Sequence, residues 1–389
     1  MKNSLLISGI TIADANEESF VGDILIEDGQ ITRVAEKLEV QADSYVDATG
    51  KKWTALPGFI DIHIHGAAGH DVMDSTPEAL NGLAAALPKE GTTSFLATTM
   101  TQTDEAISAA LKNIQAFDAQ EGQAEMLGVH LEGPFISDKR AGAQPIEHIV
   151  TPSLPLFNKW QKLSGDQIRV VTMAPETADD STFIKSLADE GVTISIGHSN
   201  ATFEEVQKAV RSGAKHVTHL YNQMSPLHHR NPGVVGAALL EDDLSVEVIA
   251  DFIHSHPSAV ELAFRQKGAE RLILITDAMR AKGLSAGVYD LGGQDVQVTE
   301  KDARLADGTL AGSILTMEKA VQNVQSITRC GLNELVAMTS ANAAAALGLS
   351  NKGKLQAGMD ADIAIVDDSF TVQLTICRGT IAYKKENRV

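Results

Sequence analysis

The chain has 389 residues, of which 43% are hydrophobic and 21% charged, and its formal net charge at pH 7 is −19. That length supplies one large domain and one small one, with the composition of a soluble globular protein. The negative balance argues against nucleic acid or an anionic membrane as partner, but leaves room for an anionic small substrate met by local Arg and His.

From the N-terminus, Leu5 to Ala13 forms an apolar stretch without a basic lead or a cleavage site, so it reads as a first strand and not a signal peptide. The short runs Ser4–Ile12, Asp23–Ile26 and Gln30–Val34 follow the alternation of strands. Glu27-Asp28-Gly29 between the last two predicts a hairpin, because Asp-Gly tolerates positive φ at both turn positions. The last forty or so residues have the same β-rich character, with Ile363–Val366 and Val372–Cys377 strand-like and Arg378-Gly379 making a turn. Both ends together predict a small β-sandwich domain, residues 1–54 with 353–389, around a different unit over 55–352.

In that middle unit eight short apolar runs recur: Phe59–His65, Ser94–Thr98, Leu127–Glu132, Arg169–Ala174, Thr193–His198, His216–Leu220, Val246–Asp251 and Leu272–Asp277. Helix-like segments separate most of them, including Pro77–Leu87, Thr103–Phe117, Asp180–Glu190, Thr202–Ser212 and Pro257–Lys267. Buried strands alternating with helices predict a parallel sheet, and eight such units predict a (β/α)₈ TIM-type barrel, whose active site lies at the C-terminal ends of the strands. Cys330 and Cys377 lack metal-ligand spacing and read as buried reduced thiols. No apolar run reaches the ~18 residues that span a bilayer, and a cytoplasmic location is expected.

Polar groups fall where a barrel would use them. His63 and His65 stand two apart in a strand, so both imidazoles face one way and can reach one ion. Glu132, His198, His219 and Asp277 lie at or near the ends of four further strands. A lone histidine there is more often a hydrogen-bonded structural group, and a lone acid more often a helix cap. Coincidence at five strand ends argues instead for a metal-dependent hydrolase. His130 is assigned a supporting role, and His216, three residues from His219, faces away from it. His70, His148, His228, His229 and His256 have no strand-end position.

The motifs Pro57-Gly58-Phe59-Ile60-Asp61-Ile62-His63-Ile64-His65-Gly66, His130-Leu131-Glu132-Gly133-Pro134-Phe135, Gly197-His198-Ser199, His219-Leu220-Tyr221-Asn222 and Thr276-Asp277-Ala278 resemble the amidohydrolase superfamily. Within it they are similar to the N-acetylglucosamine-6-phosphate deacetylase family, over nearly the whole chain. The resemblance implies a glutamate, Glu132, where many relatives bridge two metals with a carboxylated lysine. It implies that Glu132, His198 and His219 hold one divalent ion, and that His63 and His65 add a second, with zinc, iron, manganese or cobalt all suited to these donors. Gln144 stands near where single-metal members place a histidine that polarises the substrate carbonyl; a second ion would take over that task.

The same resemblance gives Asp277 the acid–base role as well as a ligand role. It assigns substrate contacts to Ala143, Asn222, Gln223, Arg230, His254, Leu310, Ala311 and Gly312, with Arg230 and His254 at a phosphate and one of them coming from a neighbouring subunit of a homodimer. The expected reaction is hydrolysis of the acetamide of a phosphorylated N-acetyl amino sugar. The alternatives are the galactosamine epimer as substrate, a cyclic amidase or dipeptidase on the same barrel, and a non-catalytic scaffold.

Overall fold

The structure, a computed structural model, describes residues 4–386. Eight parallel strands run in chain order around the middle of the molecule: β1 (Phe59–Ile64), β2 (Thr92–Thr99), β3 (Glu125–Glu132), β4 (Ile168–Met173), β5 (Thr193–Ile196), β6 (Ala214–Val217), β7 (Ser245–Ile249) and β8 (Leu272–Ile275). Each pairs with the next in sequence. The ring is closed by the backbone of His63–His65, which bonds to Asp277 and Ala278 just past β8, at 2.8 and 2.9 Å. This is the expected TIM-type barrel.

Its strands are buried on both faces, which is why they read as apolar runs and not as alternating ones. The helices between them start on side-chain caps. Thr76, Thr103 and Thr202 accept from the backbone N–H groups of Ala79, Ala106 and Glu205 and open the helices Pro77–Ala86, Asp104–Gln115 and Phe203–Arg211. Inside the barrel lies a layer of small polar side chains. Thr218 Oγ1 is 2.6 Å from both Thr172 Oγ1 and Ser195 Oγ, and His130 Nε2 is 2.6 Å from Thr172 Oγ1. Buried polar groups must find partners, and here they find one another.

The chain ends build a second unit. Strands Ser4–Ile12, Phe20–Glu27, Gln30–Ala35, Ser44–Asp47 and Thr54–Pro57 join Ile363–Val366, Val372–Cys377 and Thr380–Lys384 in one eight-stranded sheet. The predicted turn is present: φ is 51° at Asp28 and 83° at Gly29, both positive as a type I′ hairpin requires. Arg378-Gly379 repeats it, with φ of 44° and 83°. Three strands separate these two hairpins in the sheet, yet a Cβ on Gly379 would lie 2.7 Å from Gly29 Cα. The sheet therefore folds back on itself, sandwich-like, around Ile7, Ile24, Ile31, Ile363 and Ile376. Against the barrel it is fastened by Lys352, 3% exposed, whose ammonium lies 2.5 Å from Asp362, 2.6 Å from Glu125 of β3 and 3.1 Å from Asp360.

Beyond β8 the chain adds a three-stranded antiparallel sheet, Gly287–Leu291, Gln294–Val298 and Ala303–Arg304, which the sequence does not announce. It packs Leu291, Val296 and Val298 on Met100 and Met279, and so stands beside the C-terminal mouth of the barrel. Cys330 and Cys377 are buried and unpaired. Among the described residues no helix is long and apolar enough to cross a membrane.

Candidate active site

The six strand-end residues converge. Glu132 occupies the middle: its Oε1 is 3.4 Å from His63 Nε2, 3.3 Å from His198 Nε2 and 3.2 Å from His219 Nε2, and its Oε2 is 3.2 Å from His65 Nε2. Asp277 Oδ1 closes the other side, 3.5 Å from His63 Nε2 and 3.3 Å from His65 Nε2. All six are buried, with Asp277 the most accessible at 8%. The backbone pays a conformational cost to aim them. His198, His219 and Asp277 have φ of 46°, 30° and 48°, a region that side-chain-bearing residues avoid and that collects at functional sites.

These donors form two groups within ligand distance of one another: His63, His65 and Asp277, and Glu132, His198 and His219. His198 Nδ1 donates to the Arg140 carbonyl at 2.8 Å, which leaves its Nε2 as a lone pair facing His219 Nε2 at 3.2 Å. Two imidazoles on one tetrahedral ion, with bonds of ~2.0–2.1 Å, stand roughly 3.3 Å apart. His63 Nε2 is buried without a hydrogen-bond partner. Imidazole nitrogens and buried carboxylate oxygens converging at these distances are a donor set for positive charge, so the residues present fit divalent cations.

Electrostatics show the same demand. Burial opposes a charged His65, yet the hydrogen bonds and charges of Asp277 and Glu132 outweigh it and push its pKa up to about 10. His63 moves up for the same balance of causes. Burial would raise Asp277, but the charge of His63 and the hydrogen bond and charge of His65 hold it down at about 2. Glu132 is likewise driven well below the carboxylate range by the surrounding imidazoles despite its burial. Cations displace such protons, because a ligand imidazole binds in its neutral form.

Above the six residues opens a cleft of about 340 Å³, within the usual range for small-molecule sites. Ala143, Asn222, Gln223, His254, Leu310 and Gly312 line it. Asp251 orients His254, accepting from its Nδ1 at 2.7 Å and from its backbone N–H at 2.8 Å, so the other ring nitrogen is free. Ala311 does not line the cleft; it is fully buried among Met100, Met279 and Ala303. Arg230 does not line it either. It stands on an exposed loop beside His229, 2.7 Å from that ring, with Leu227 55% exposed next to it.

Arg304 and Glu247 were not assigned from the sequence, and Gln144 was noted there near the place of a carbonyl-polarising histidine. Gln144 donates to Glu132 Oε2 at 2.8 Å and accepts from the Thr101 N–H at 2.8 Å, so its amide holds the central carboxylate. Arg304 lines the cleft from the added sheet, its Nε on Asp302 at 2.6 Å. Glu247, fully buried in β7, accepts from His63 Nδ1 at 3.0 Å. A charged residue amid the apolar run Ser245-Val246-Glu247-Val248-Ile249 was the available signal for it. His130 is a supporting residue as expected: it donates to the Ile62 carbonyl, and burial holds it near pKa 4.

Comparison with known proteins agrees with this geometry. The chain is 50% identical over 385 residues, 99% of each chain, to N-acetylglucosamine-6-phosphate deacetylase of Lysinibacillus sphaericus. It is 38% identical to N-acetylgalactosamine-6-phosphate deacetylase of Escherichia coli O157:H7, over 84% of this chain and 87% of that one. A mutant N-acetyl-D-glucosamine-6-phosphate deacetylase from Mycobacterium smegmatis, solved in complex with N-acetyl-D-glucosamine-6-phosphate, superposes with a TM-score of 0.90 at 29% identity, covering 98% of this chain and 100% of that one. Residues 54–382, from the last strand before the barrel to the last strand of the small sheet, match the model of the amidohydrolase family, and the chain belongs to that family.

Proposed function

We propose that the chain hydrolyses the acetamide of N-acetyl-D-glucosamine 6-phosphate to D-glucosamine 6-phosphate and acetate. The observation that carries this reading is the end-to-end identity of 50% with an enzyme of that activity, in a chain whose barrel mouth gathers the donors such a hydrolysis needs. In this account His63, His65 and Asp277 would hold one divalent cation and Glu132, His198 and His219 a second. Zinc, iron, manganese and cobalt all suit the donor set. When bound, such a cation supplies Lewis acidity, lowering the pKa of water and polarising a carbonyl oxygen.

The protein's own groups do the rest. Asp277, which lines the cleft, takes a proton from the attacking water at Oδ2, the carboxylate oxygen that does not face His63 and His65. It then delivers that proton to the amide nitrogen as the C–N bond breaks, since an amine does not leave as an anion. Gln144 keeps Glu132 in place with one of its amide protons, while its amide oxygen accepts from the Thr101 N–H. Asn222, the Gln223 backbone, Ala143 and the Leu310–Gly312 turn hold the sugar, and His254, when its ring carries a proton on Nε2 as well as on Nδ1, donates that N–H to the phosphate. Arg230, on its exposed loop, reaches the phosphate in the cleft of a second copy, which makes a homodimer the working unit. The small domain is taken as 1–54 with 353–389 and the hydrolase domain as 55–352; the small sheet has an apolar cluster around Ile7, Ile24 and Ile363, while the barrel's cluster also takes in Ala13, Ala364, Val366 and Val372 from the chain ends. The enzyme works in the cytoplasm.

The 38% identity to a galactosamine-epimer enzyme keeps that sugar as the second reading. Acetate release is measured from N-acetylglucosamine 6-phosphate, its galactosamine epimer and unphosphorylated N-acetylglucosamine. The expected order places the first substrate well ahead of both others. Faster release from the epimer would exchange the two readings, and no release from any of them would overturn both.

A further inference from the structure

We infer that Glu247 is a positioning residue that gives the His63–His65–Asp277 group an ion of its own, so that the chain takes up two cations and not one; this rests on the metal reading above. Glu247 sits in the middle of β7 with its side chain fully buried. One oxygen, Oε2, accepts from His63 Nδ1 at 3.0 Å and from the backbone N–H of His219 at 3.3 Å. Among the described residues its ion-pair contact is His63 alone.

A buried carboxylate is costly unless its charge is used. The barrel layer around it shows that hydroxyls suffice for interior hydrogen bonding: Thr172, Ser195 and Thr218 satisfy one another there without charge. The His219 N–H asks only for an acceptor oxygen, which an amide would also supply, so the charge of Glu247 is explained by His63. Accepting from Nδ1 fixes the tautomer and turns the Nε2 lone pair toward Glu132 and Asp277, at 3.4 and 3.5 Å. A carboxylate behind a ligand histidine also makes the imidazole a stronger donor.

The two groups are built alike in this respect. Each has one histidine whose Nδ1 is held and one whose Nδ1 has no hydrogen-bond partner: His63 is held by Glu247 and His198 by the Arg140 carbonyl, while His65 and His219 are free. The difference is charge, since Glu247 brings a full negative charge and the carbonyl brings a dipole. His63, His130 and Glu247 do not form a third metal group, because both ring nitrogens of His130 are engaged, with the Ile62 carbonyl and with Thr172.

The test is zinc titration of the metal-free full-length chain by calorimetry, with zinc content counted after dialysis. Wild type should bind two equivalents. Glu247→Gln keeps the shape and an acceptor oxygen but removes the charge, and Glu247→Asp keeps the charge but draws it back from Nδ1. Each should retain one equivalent at wild-type affinity and weaken the other ~10–100-fold. Adding Glu247→Gln to His63→Asn should change zinc binding no further. Variants that hold both equivalents as tightly as wild type, or that lose both alike, would overturn the assignment, and so would a wild type that binds a single ion. A wild type that binds no zinc would instead overturn the metal reading itself.

Discussion

Replacing Asp277 by Asn removes the proton carrier while leaving its shape. In the structure Asp277 Oδ1 lies 3.3 Å from His65 Nε2 and 3.5 Å from His63 Nε2, and the residue is the most accessible of the six at 8% exposure. Without a cation the charge of His63 and the hydrogen bond and charge of His65 hold its pKa down at about 2, and a cation in their place would favour the carboxylate likewise. An amide at the same place can still offer an oxygen to a cation, but it neither takes the proton from water nor returns it to nitrogen. Positioned acid–base groups contribute about 10²–10⁴-fold, or about 3–5 kcal/mol of barrier, so kcat should fall by that factor. KM for the phosphorylated sugar should stay within a few-fold, because the sugar and phosphate contacts lie elsewhere. The assay is initial-rate acetate release, with metal content determined on the same sample. A metal-loaded variant with kcat within tenfold of wild type would refute the acid–base assignment.

Arg230→Ala removes a charge-assisted contact worth about 1.5–3 kcal/mol, so KM should rise roughly 10–100-fold for the phosphorylated sugar and little for N-acetylglucosamine; equal effects would take Arg230 away from the phosphate. Lys352→Met leaves the carboxylates of Asp362 and Glu125 facing each other without their shared cation. It should cost about 3–5 kcal/mol in urea unfolding followed by circular dichroism, and a loss under 1 kcal/mol would contradict the fastening role. His216 is buried, which holds its pKa below the ordinary imidazole value of about 6.5. As pH falls below that value the unfolded chain takes the proton first, so stability declines on acidification, and His216→Gln should flatten that decline in metal-free protein. An unchanged slope would show that His216 does not contribute to it.

Much of this architecture is legible in the chain because parallel barrel strands are buried on both faces and stand out as short apolar runs. The same burial makes a polar residue at the end of such a run conspicuous, which is how His63, His65, Glu132, His198, His219 and Asp277 were found. Positive φ at Asp28-Gly29 was legible too, since few residue pairs tolerate it, and Arg378-Gly379 was legible as a turn. What stayed hidden has physical causes. The helix Gly233–Leu240 is apolar nearly all round and almost wholly buried, so it has no helical period to read. The helix Leu154–Leu163 begins on Leu154-Pro155, where proline is acceptable at the start but reads as a break. The added sheet after β8 rests on Leu291, Val296 and Val298 packing on the distant Met100 and Met279, contacts with no local signature. Glu247 escaped notice because inward and outward positions of a doubly buried strand look alike until its neighbours are known, and Arg304 because its place at the cleft depends on that same sheet.

The central claim is that the six converging side chains work by holding divalent cations. The most direct measurement strips the protein with a chelator, confirms the loss of metal by mass spectrometry, and follows acetate release from N-acetylglucosamine 6-phosphate as zinc or iron is returned. The account predicts that release disappears on stripping and recovers as the ions are restored, completing at two equivalents per chain. Undiminished release from verified metal-free protein would contradict it.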